Sequence, residues 1–398
     1  MEHPSSRAGA AQGLTVAVAI FLPIMAVISL APVVPTMLAH FKDVPGAGTL
    51  VPMIVTAPGL MIALMSPVMG WAADRYGRRP ILVWSILLYG FAGVAPVLLD
   101  GIYAILASRL LIGIAEAVIL TVATALLSDY FETDRRRFYL TVQAVLAPFL
   151  AVSTIVVSGM LTAWRWNGAF LIYLVALPVF LAALLFLFEP KGVKPVERDR
   201  EGQGIPWRIA LGFVPLTFVT AILYYVYIVQ GGLAFQAAGL TDPDKLGKIM
   251  GIASLGVPVG GLIFGYLSKR LNIQLVLTVL FIVLAVGLIG ISRSRTVETM
   301  AIFSFVQQIA SGMCVVSLIF WVSLLLAPRQ RGIGFGLWTG AFFLGQFCGP
   351  IVYGLLSSAV GGVMGLFLLA GLASLGCAGW SLVRSRSGTK PVSNEAVA

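Results

Sequence analysis

The stretch that decides the fold is GWAADRYGRRP, residues 70–80. It places Asp74, Arg75, Arg78 and Arg79 between two apolar runs, each long enough to cross a bilayer as a helix. Because charged side chains are costly inside lipid, this stretch is predicted to be a short loop at a membrane surface.

The composition of the whole chain indicates an integral membrane protein. Of its 398 residues, 59% are hydrophobic and only 11% are charged, and the mean hydropathy is +0.99. The net charge of +10 comes from short Lys and Arg clusters between apolar runs, which favours contact with anionic lipid over nucleic acid. Three cysteines inside apolar runs and two histidines predict no disulfide framework, no metal site and no cofactor.

Twelve apolar runs predict an all-α integral membrane fold with twelve transmembrane helices. The predicted spans are 14–38, 48–70, 80–98, 101–127, 138–161, 168–188, 207–233, 243–267, 273–292, 297–326, 332–358 and 361–383. Of the 26 Lys and Arg residues, 19 fall on the side of the two termini. This bias predicts a protein of the cell (plasma or inner) membrane with both termini in the cytoplasm.

The longest polar segment between spans divides the chain into two pseudo-symmetric six-helix bundles. We predict an N-terminal tail at 1–13, a bundle at 14–188, a cytoplasmic linker at 189–206, a second bundle at 207–383 and a tail at 384–398. The halves resemble each other, since Gly70 and Arg75 recur as Gly265 and Arg270 at an offset of 195. Parallel six-helix repeats are typical of transporters that bind a small molecule at mid-membrane between the repeats. The chain is expected to work as a monomer.

The loop at 70–80 resembles the signature loop of the major facilitator superfamily, G-x-x-x-D-R-x-G-R-R between spans two and three. All of its positions are filled here, by Gly70, Asp74, Arg75, Gly77, Arg78 and Arg79. With the twelve spans and the central linker, the resemblance extends over essentially the whole chain. It implies a conformational latch, in which the arginines pair with an acid at the end of the fourth span, here Asp129. The loop's Asp would lie near the start of the eleventh span at Arg331, and the latch would break as the halves rock apart.

Arg109 and Glu116 are the only charged side chains predicted to lie well inside the membrane, which makes them functional candidates. Their separation of seven residues corresponds to about 10 Å of helical rise, too far for a direct salt bridge without bending or water. The segment RLLIGIAEA also resembles a fourth-helix motif, Arg-x-x-x-Gly, that the superfamily links to proton coupling. We predict that both residues serve proton coupling, with Glu116 carrying the proton. The alternative is that they only tie the fourth helix to its neighbours through hydrogen bonds.

Polar and aromatic side chains on central helices are the candidates for a substrate cavity. These are Tyr224 and Tyr227 in the seventh span and Gln307, Ser311 and Trp321 in the tenth. Each also fits an ordinary packing or interfacial position. The exporter motif G-x-x-x-G-P is absent from the fifth span and occurs instead in the eleventh, at Gly345, Gly349 and Pro350, which weakens an antiporter assignment.

The leading hypothesis is a secondary active transporter that works by alternating access. We expect a proton-coupled antiporter for efflux. Because helices one, seven and ten lack charge, its substrate is expected to be an apolar or amphipathic small organic molecule. One alternative is a proton-coupled importer of a small organic acid, in which Arg109 binds the acid. Another is a membrane sensor or scaffold that does not transport. The sequence has neither a nucleophile–base–acid arrangement nor a phosphate-binding loop, so neither an enzyme nor an ATP-driven transporter is predicted.

Overall fold

A computed structural model of the chain describes residues 8–190, 205, 207–327 and 330–386. The regular secondary structure of these residues is entirely helical, and twelve helices are long and apolar enough to cross a membrane. In chain order they are α1 (Ala10–Leu30), α2 (Ala47–Tyr76), α3 (Arg78–Val97), α4 (Ile102–Tyr130), α5 (Thr133–Trp164), α6 (Gly168–Phe186), α7 (Trp207–Ala237), α8 (Pro243–Leu267), α9 (Ile273–Arg293), α10 (Val297–Leu325), α11 (Arg331–Ser357) and α12 (Val363–Arg386). The predicted all-α fold with twelve spans is therefore confirmed.

The helix bounds differ from the predicted spans by a few residues, most clearly at the start of the chain. The predicted run 14–38 contains the end of α1 at Leu30 and a separate short helix, Val34–His40. Pro35 lies in the first turn of this short helix, where its missing N–H costs nothing. Several other helices extend beyond their predicted runs, because hydropathy marks the part of a helix suited to lipid and not the turns that continue past it.

The chain folds as two compact units. The N-terminal unit comprises Met1–Arg200 with Asp242–Gly251, and the C-terminal unit comprises Glu201–Thr241 with Ile252–Ala398. The start of α8 thus groups with α1–α6, unlike the predicted bundle 207–383. Most of the predicted linker 189–206, residues 1–7 of the N-terminal tail and residues 387–398 of the C-terminal tail lie outside the described residues.

Glycines allow helices of the N-terminal unit to approach closely. A Cβ on Gly113 of α4 would lie 2.5 Å from the carbonyl oxygen of Pro58 on α2. A Cβ on Gly159 of α5 would lie 2.6 Å from the carbonyl oxygen of Pro243 at the start of α8. Small residues are the usual means by which membrane helices bring their backbones together. The second contact is why the start of α8 packs with the N-terminal unit.

Four of these helices depart from regular α geometry. The α3 helix ends in a 3-10 turn at Ala95–Val97, α6 begins with a 3-10 segment at Gly168–Val175, and α8 and α4 change within their length. The α8 helix is interrupted at Leu255. Pro258 follows three residues later and can neither donate a backbone hydrogen bond nor accommodate the carbonyl of Ser254. The α4 helix contains a π-helical turn at Ile119–Ala123, directly after the segment that carries Glu116.

Candidate functional site

Glu116 is the central residue of the 29-residue helix α4 and is 0% exposed. Neither of its carboxylate oxygens has a hydrogen-bond partner among the described residues. Among ionisable groups, Arg109 on the same helix acts on it electrostatically, and Glu116 in turn acts on Tyr89 on α3 and Tyr173 on α6. Both tyrosine hydroxyls donate instead to α1, Tyr89 to the carbonyl of Leu22 at 2.6 Å and Tyr173 to that of Ala26 at 3.0 Å. Glu116 is therefore an acid without a structural hydrogen bond.

Arg109 is also 0% exposed, but its surroundings are very different. Its Nη2 atom donates to the carbonyl oxygens of Ala92 and Gly93 on α3, each at 3.0 Å. The guanidinium carbon lies 4.9 Å from the ring centre of Phe170 and 5.0 Å from that of Tyr173, both on α6. Carbonyls near the end of a helix and aromatic ring faces both attract a cation. Arg109 consequently ties α4 to α3 and α6.

No ion pair joins Arg109 to Glu116 in the part of the chain that the structure describes. Arg109 and Glu116 thus differ in whether the side chain has partners, and this difference separates a packing role from a chemical one. Arg109 has four partners on two neighbouring helices, although its Nη1 atom has none. Glu116 has no hydrogen-bonding partner at all among the described residues.

The π-helical turn at Ile119–Ala123 connects the Glu116 region with the signature loop. Within it, the Thr121 hydroxyl donates to the carbonyl of Ala117. The Thr121 methyl group would lie 3.9 Å from a Cβ on Gly70, so this end of α2 packs beside the π turn. Such turns are frequent at functional sites. Sequence reasoning missed this one, because no residue pattern in α4 marks it.

The signature loop makes its turn at Gly77, which separates α2 from α3. Gly77 has φ +97°, a backbone conformation that residues with a Cβ rarely adopt. Directly after the turn, Arg78 forms an ion pair with Asp129 at the end of α4 and a second one, of 3.2 Å, with Asp74. Arg75 lies instead over the ring of Trp71, 5.5 Å from its centre. Within the N-terminal unit, the loop is therefore joined to α4 through Arg78.

Glu189 is a functional candidate that sequence reasoning missed. Its two carboxylate oxygens accept the backbone N–H groups of Arg78 and Arg79, each at 2.8 Å. Arg79 in turn donates to the carbonyl oxygens of Leu187 at 2.7 Å and Leu184 at 2.9 Å. A carboxylate at this position satisfies N–H groups that have no partner within the helix and complements the positive end of α3. In the sequence, Glu189 is an acid immediately after the sixth span. The linker prediction 189–206 included this residue and gave it no role.

The predicted cavity residues all lie in the C-terminal unit, on α7 and α10. Gln307 donates to the Ser311 hydroxyl at 3.1 Å. Trp321 is fully buried and meets Trp380 edge-to-face, with ring centres 6.1 Å apart. Tyr224 contacts the ring of Phe342 on α11, with ring centres 5.8 Å apart, and Tyr227 is buried beside Ser304 on α10.

Further buried polar groups of this unit were not predicted. They are Thr217 and Thr220 on α7, Ser304 and Ser317 on α10, and Trp338 and Gln346 on α11. Single polar residues inside a long apolar helix carry little signal, because the sequence does not show whether a partner lies on the next helix. The implied position of Asp74 beside the start of α11 stays a prediction.

Comparison with known proteins agrees with this architecture. The family model of the Major Facilitator Superfamily matches residues 16–291 and 216–397. The 3-(3-hydroxy-phenyl)propionate transporter of Escherichia coli K12 is 23% identical over 340 residues, which cover 81% of this chain and 82% of that protein. The nitrite extrusion protein of Bacillus subtilis 168 is 23% identical over 319 residues, covering 77% and 78%.

A similar fold occurs in the crystal structure of the nucleoside transporter NupG. It superposes with a TM-score of 0.73 at 12% identity, over 95% of this chain and 100% of that one. The spans, the Gly70–Pro80 loop and the family match lead to one conclusion. This chain is a multi-pass membrane transporter, not an enzyme, and it belongs to the Major Facilitator Superfamily.

Proposed function

We propose that this secondary transporter couples proton movement to the export of an apolar or amphipathic small organic molecule by alternating access. The observation that carries the proposal is the isolation of Glu116, an acid at the middle of α4 with no hydrogen-bond partner among the described residues. An ionisable residue at such a depth costs about 2.5–3.5 kcal/mol on insertion scales. A group retained at that cost without a structural contact is best explained by proton binding and release.

Arg109 and Glu116 would have different roles in proton coupling. Arg109 is held by two carbonyls and two aromatic rings, so it acts as a fixed positive charge. Glu116 is free to gain and lose a proton as the conformational change alters its access to water. The hydroxyl groups of Tyr89 and Tyr173, on which Glu116 acts electrostatically, already donate hydrogen bonds to α1. Glu116 is therefore the proposed proton carrier, and Arg109 the proposed positioning charge.

The chemistry of the C-terminal unit supports an uncharged or amphipathic substrate. The buried residues of α7, α10 and α11 include hydroxyl, amide and indole groups but no charged side chain. An anionic or cationic substrate would find no opposite charge among them. Arg109 has only its Nη1 atom left for a substrate carboxylate, because its Nη2 atom already donates to two carbonyls.

Import of a small organic acid is a second candidate, favoured by a specific observation. The E. coli relative that matches 81% of this chain is named for the transport of 3-(3-hydroxyphenyl)propionate, an aromatic acid. The Nη1 atom of Arg109 has no partner among the described residues and could bind such a carboxylate. The B. subtilis relative is named for extrusion, so the names of the relatives point in both directions.

We further propose that the Gly70–Pro80 loop acts as the conformational latch. The Arg78–Asp129 pair joins the loop to the end of α4, and Glu189 anchors the first turn of α3. This network would position the loop so that it can hold the transporter in one conformation and release it when the conformation changes. The excess of Lys and Arg on the side of the termini supports a cytoplasmic position for the loop and for both termini.

Transport into vesicles tests the proposed coupling and its direction. In energised everted membrane vesicles, the wild type should accumulate the amphipathic dye Hoechst 33342, and an uncoupler should abolish the accumulation. Glu116→Gln should lose this proton-driven step but keep the exchange of dye across vesicles that have no proton gradient. Asp100→Asn is the matched control, because it removes an exposed acid and should leave transport unchanged.

Three outcomes would contradict the leading proposal. Accumulation of 3-(3-hydroxyphenyl)propionate by intact cells, without dye export, would favour the importer. Full proton-driven transport by Glu116→Gln would remove Glu116 from the coupling mechanism. Binding without transport of either probe would favour the sensor or scaffold.

A further inference from the structure

The C-terminal unit buries an unusual set of neutral polar groups. Seven of its described residues have a buried polar side-chain atom with no hydrogen-bond partner among the described residues. These are Thr217, Thr220, Gln307, Ser317, Trp321, Trp338 and Gln346. Buried polar groups normally find partners, and within a membrane the cost of leaving them unpaired is higher still. The polar atoms of this set are therefore available to form hydrogen bonds with a bound molecule.

Gln346 stands out within this set. It is 0% exposed, and both its amide nitrogen and its amide oxygen are without a partner among the described residues. It is the only member of the set whose free atoms include both an NH₂ donor and a carbonyl acceptor. In Gln307, by contrast, the amide nitrogen already donates to Ser311.

The position of Gln346 on α11 places it next to an aromatic cluster. Phe342 lies one turn earlier on the same helix face and contacts Tyr224 on α7, with ring centres 5.8 Å apart. Trp338, a further turn back, stacks on Phe342 at 5.4 Å. Gly345, beside Gln346, packs so closely on α7 that a Cβ would lie 2.6 Å from the carbonyl oxygen of Phe218. By helical spacing, Gln346 therefore follows Trp338 and Phe342 along one side of α11, and Phe342 contacts α7.

We infer that Gln346 is the specificity-determining residue of a substrate subsite for a neutral group that carries a donor and an acceptor side by side. A carboxamide, a lactam or a ureide has this pattern, and each can form two parallel hydrogen bonds with a glutamine amide. The rings of Trp338 and Phe342 provide an apolar surface for the rest of the molecule. This inference rests on the proposed function as a transporter, and it narrows the substrate class from amphipathic to amide-bearing.

A first experiment needs no ligand. Gln346→Leu removes two unpaired polar atoms, so the apparent melting temperature of the purified full chain should rise by about 2–4 °C. Gln274→Leu is the matched control, because the Ser381 hydroxyl, which donates to the main-chain carbonyl of Gln274 at 2.7 Å, also lies 3.2 Å from the side-chain oxygen of Gln274 on α9. The control should lower the melting temperature. If Gln346→Leu lowers it by as much as the control does, Gln346 has a structural partner and the inference fails.

The second experiment measures equilibrium binding of three matched probes to the purified protein through its tryptophan fluorescence. Phenylacetamide offers a donor and an acceptor, N,N-dimethylphenylacetamide offers only an acceptor, and phenylacetate is charged. Phenylacetamide should bind at least tenfold more tightly than the other two, and Gln346→Leu should abolish the preference. Equal binding of the three probes, no binding of phenylacetamide at millimolar concentration, or an unchanged preference in Gln346→Leu would each overturn the inference.

Failure of this inference can be distinguished from failure of the proposed coupling. Binding is measured without a proton gradient, so it does not depend on Glu116 carrying a proton. If Glu116→Gln keeps proton-driven transport while amide selectivity holds, the coupling proposal fails alone. If amide selectivity is absent while Glu116→Gln loses proton-driven transport, only the subsite is wrong.

Discussion

Replacement of Arg109 by methionine tests whether this residue is mainly a structural tie. The substitution removes two hydrogen bonds to the carbonyls of Ala92 and Gly93 and two cation–π contacts to Phe170 and Tyr173. Hydrogen bonds to a charged group contribute about 1.5–3 kcal/mol each, and desolvated cation–π contacts about 0.5–2 kcal/mol each.

The same substitution also removes the cost of a buried charge, which raises the free energy of unfolding by about 2.5–3.5 kcal/mol. With central values, the net loss in the free energy of unfolding is about 4 kcal/mol, at the diagnostic end of single-residue effects. Arg109→Lys keeps the charge but loses the planar stacking on the two rings, so we expect a smaller loss of about 1–2 kcal/mol.

Equilibrium unfolding in mixed micelles, followed by tryptophan fluorescence, measures these differences. Arg165→Met is the control, because it removes an exposed arginine and should change the unfolding free energy by less than about 0.5 kcal/mol. If Arg109 is a fixed tie, the Lys variant should keep proton-driven transport. A loss below about 1 kcal/mol for Arg109→Met, or a stable Lys variant with no transport, would refute this reasoning and favour direct contact with substrate or proton.

Further predictions concern the latch and the glycine contact. Asp129→Asn should slow transport severalfold, and exchange of the charges at Arg78 and Asp129 should partly restore it; equal loss in the exchanged protein would argue against the pair. Glu189→Gln should lower the unfolding free energy by about 1 kcal/mol through loss of the helix cap, and an unchanged value would show that water replaces it. Gly247→Val should impair transport because its Cβ would lie 2.8 Å from the α5 backbone, whereas Gly261→Val, with nothing within 4 Å, should not; equal effects in a transport assay would contradict this.

Much of the architecture follows directly from the sequence. The number of spans was predictable because each must supply enough apolar residues to cross lipid. Few structures other than a helix satisfy the backbone hydrogen bonds there. The importance of Gly77 was visible in the loop motif, and its positive φ supplies the physical reason. Glu116 could be selected as the lone acid in the predicted span 101–127, since such a residue needs a functional or structural explanation.

The roles within the candidate sites could not be assigned in this way. Arg109 and Glu116 look equivalent in the sequence, as two charges seven residues apart. Their difference depends on the carbonyls of Ala92 and Gly93, and backbone acceptors on another helix leave no mark in a sequence. Gln346 and Gln274 likewise differ only in whether a hydroxyl lies within reach on another helix.

The sequence by itself determined the membrane fold, the number of helices and the identity of the buried charges, because hydropathy and charge are properties of each residue in its own segment. The tertiary structure alone decided which buried polar groups are satisfied. It assigned Glu189 to the first turn of α3, Arg109 to the carbonyls of α3, and no protein partner to Glu116 or Gln346 among the described residues. Hydrogen bonding depends on distances and angles between groups that are far apart in the chain, and only packing of the helices fixes these.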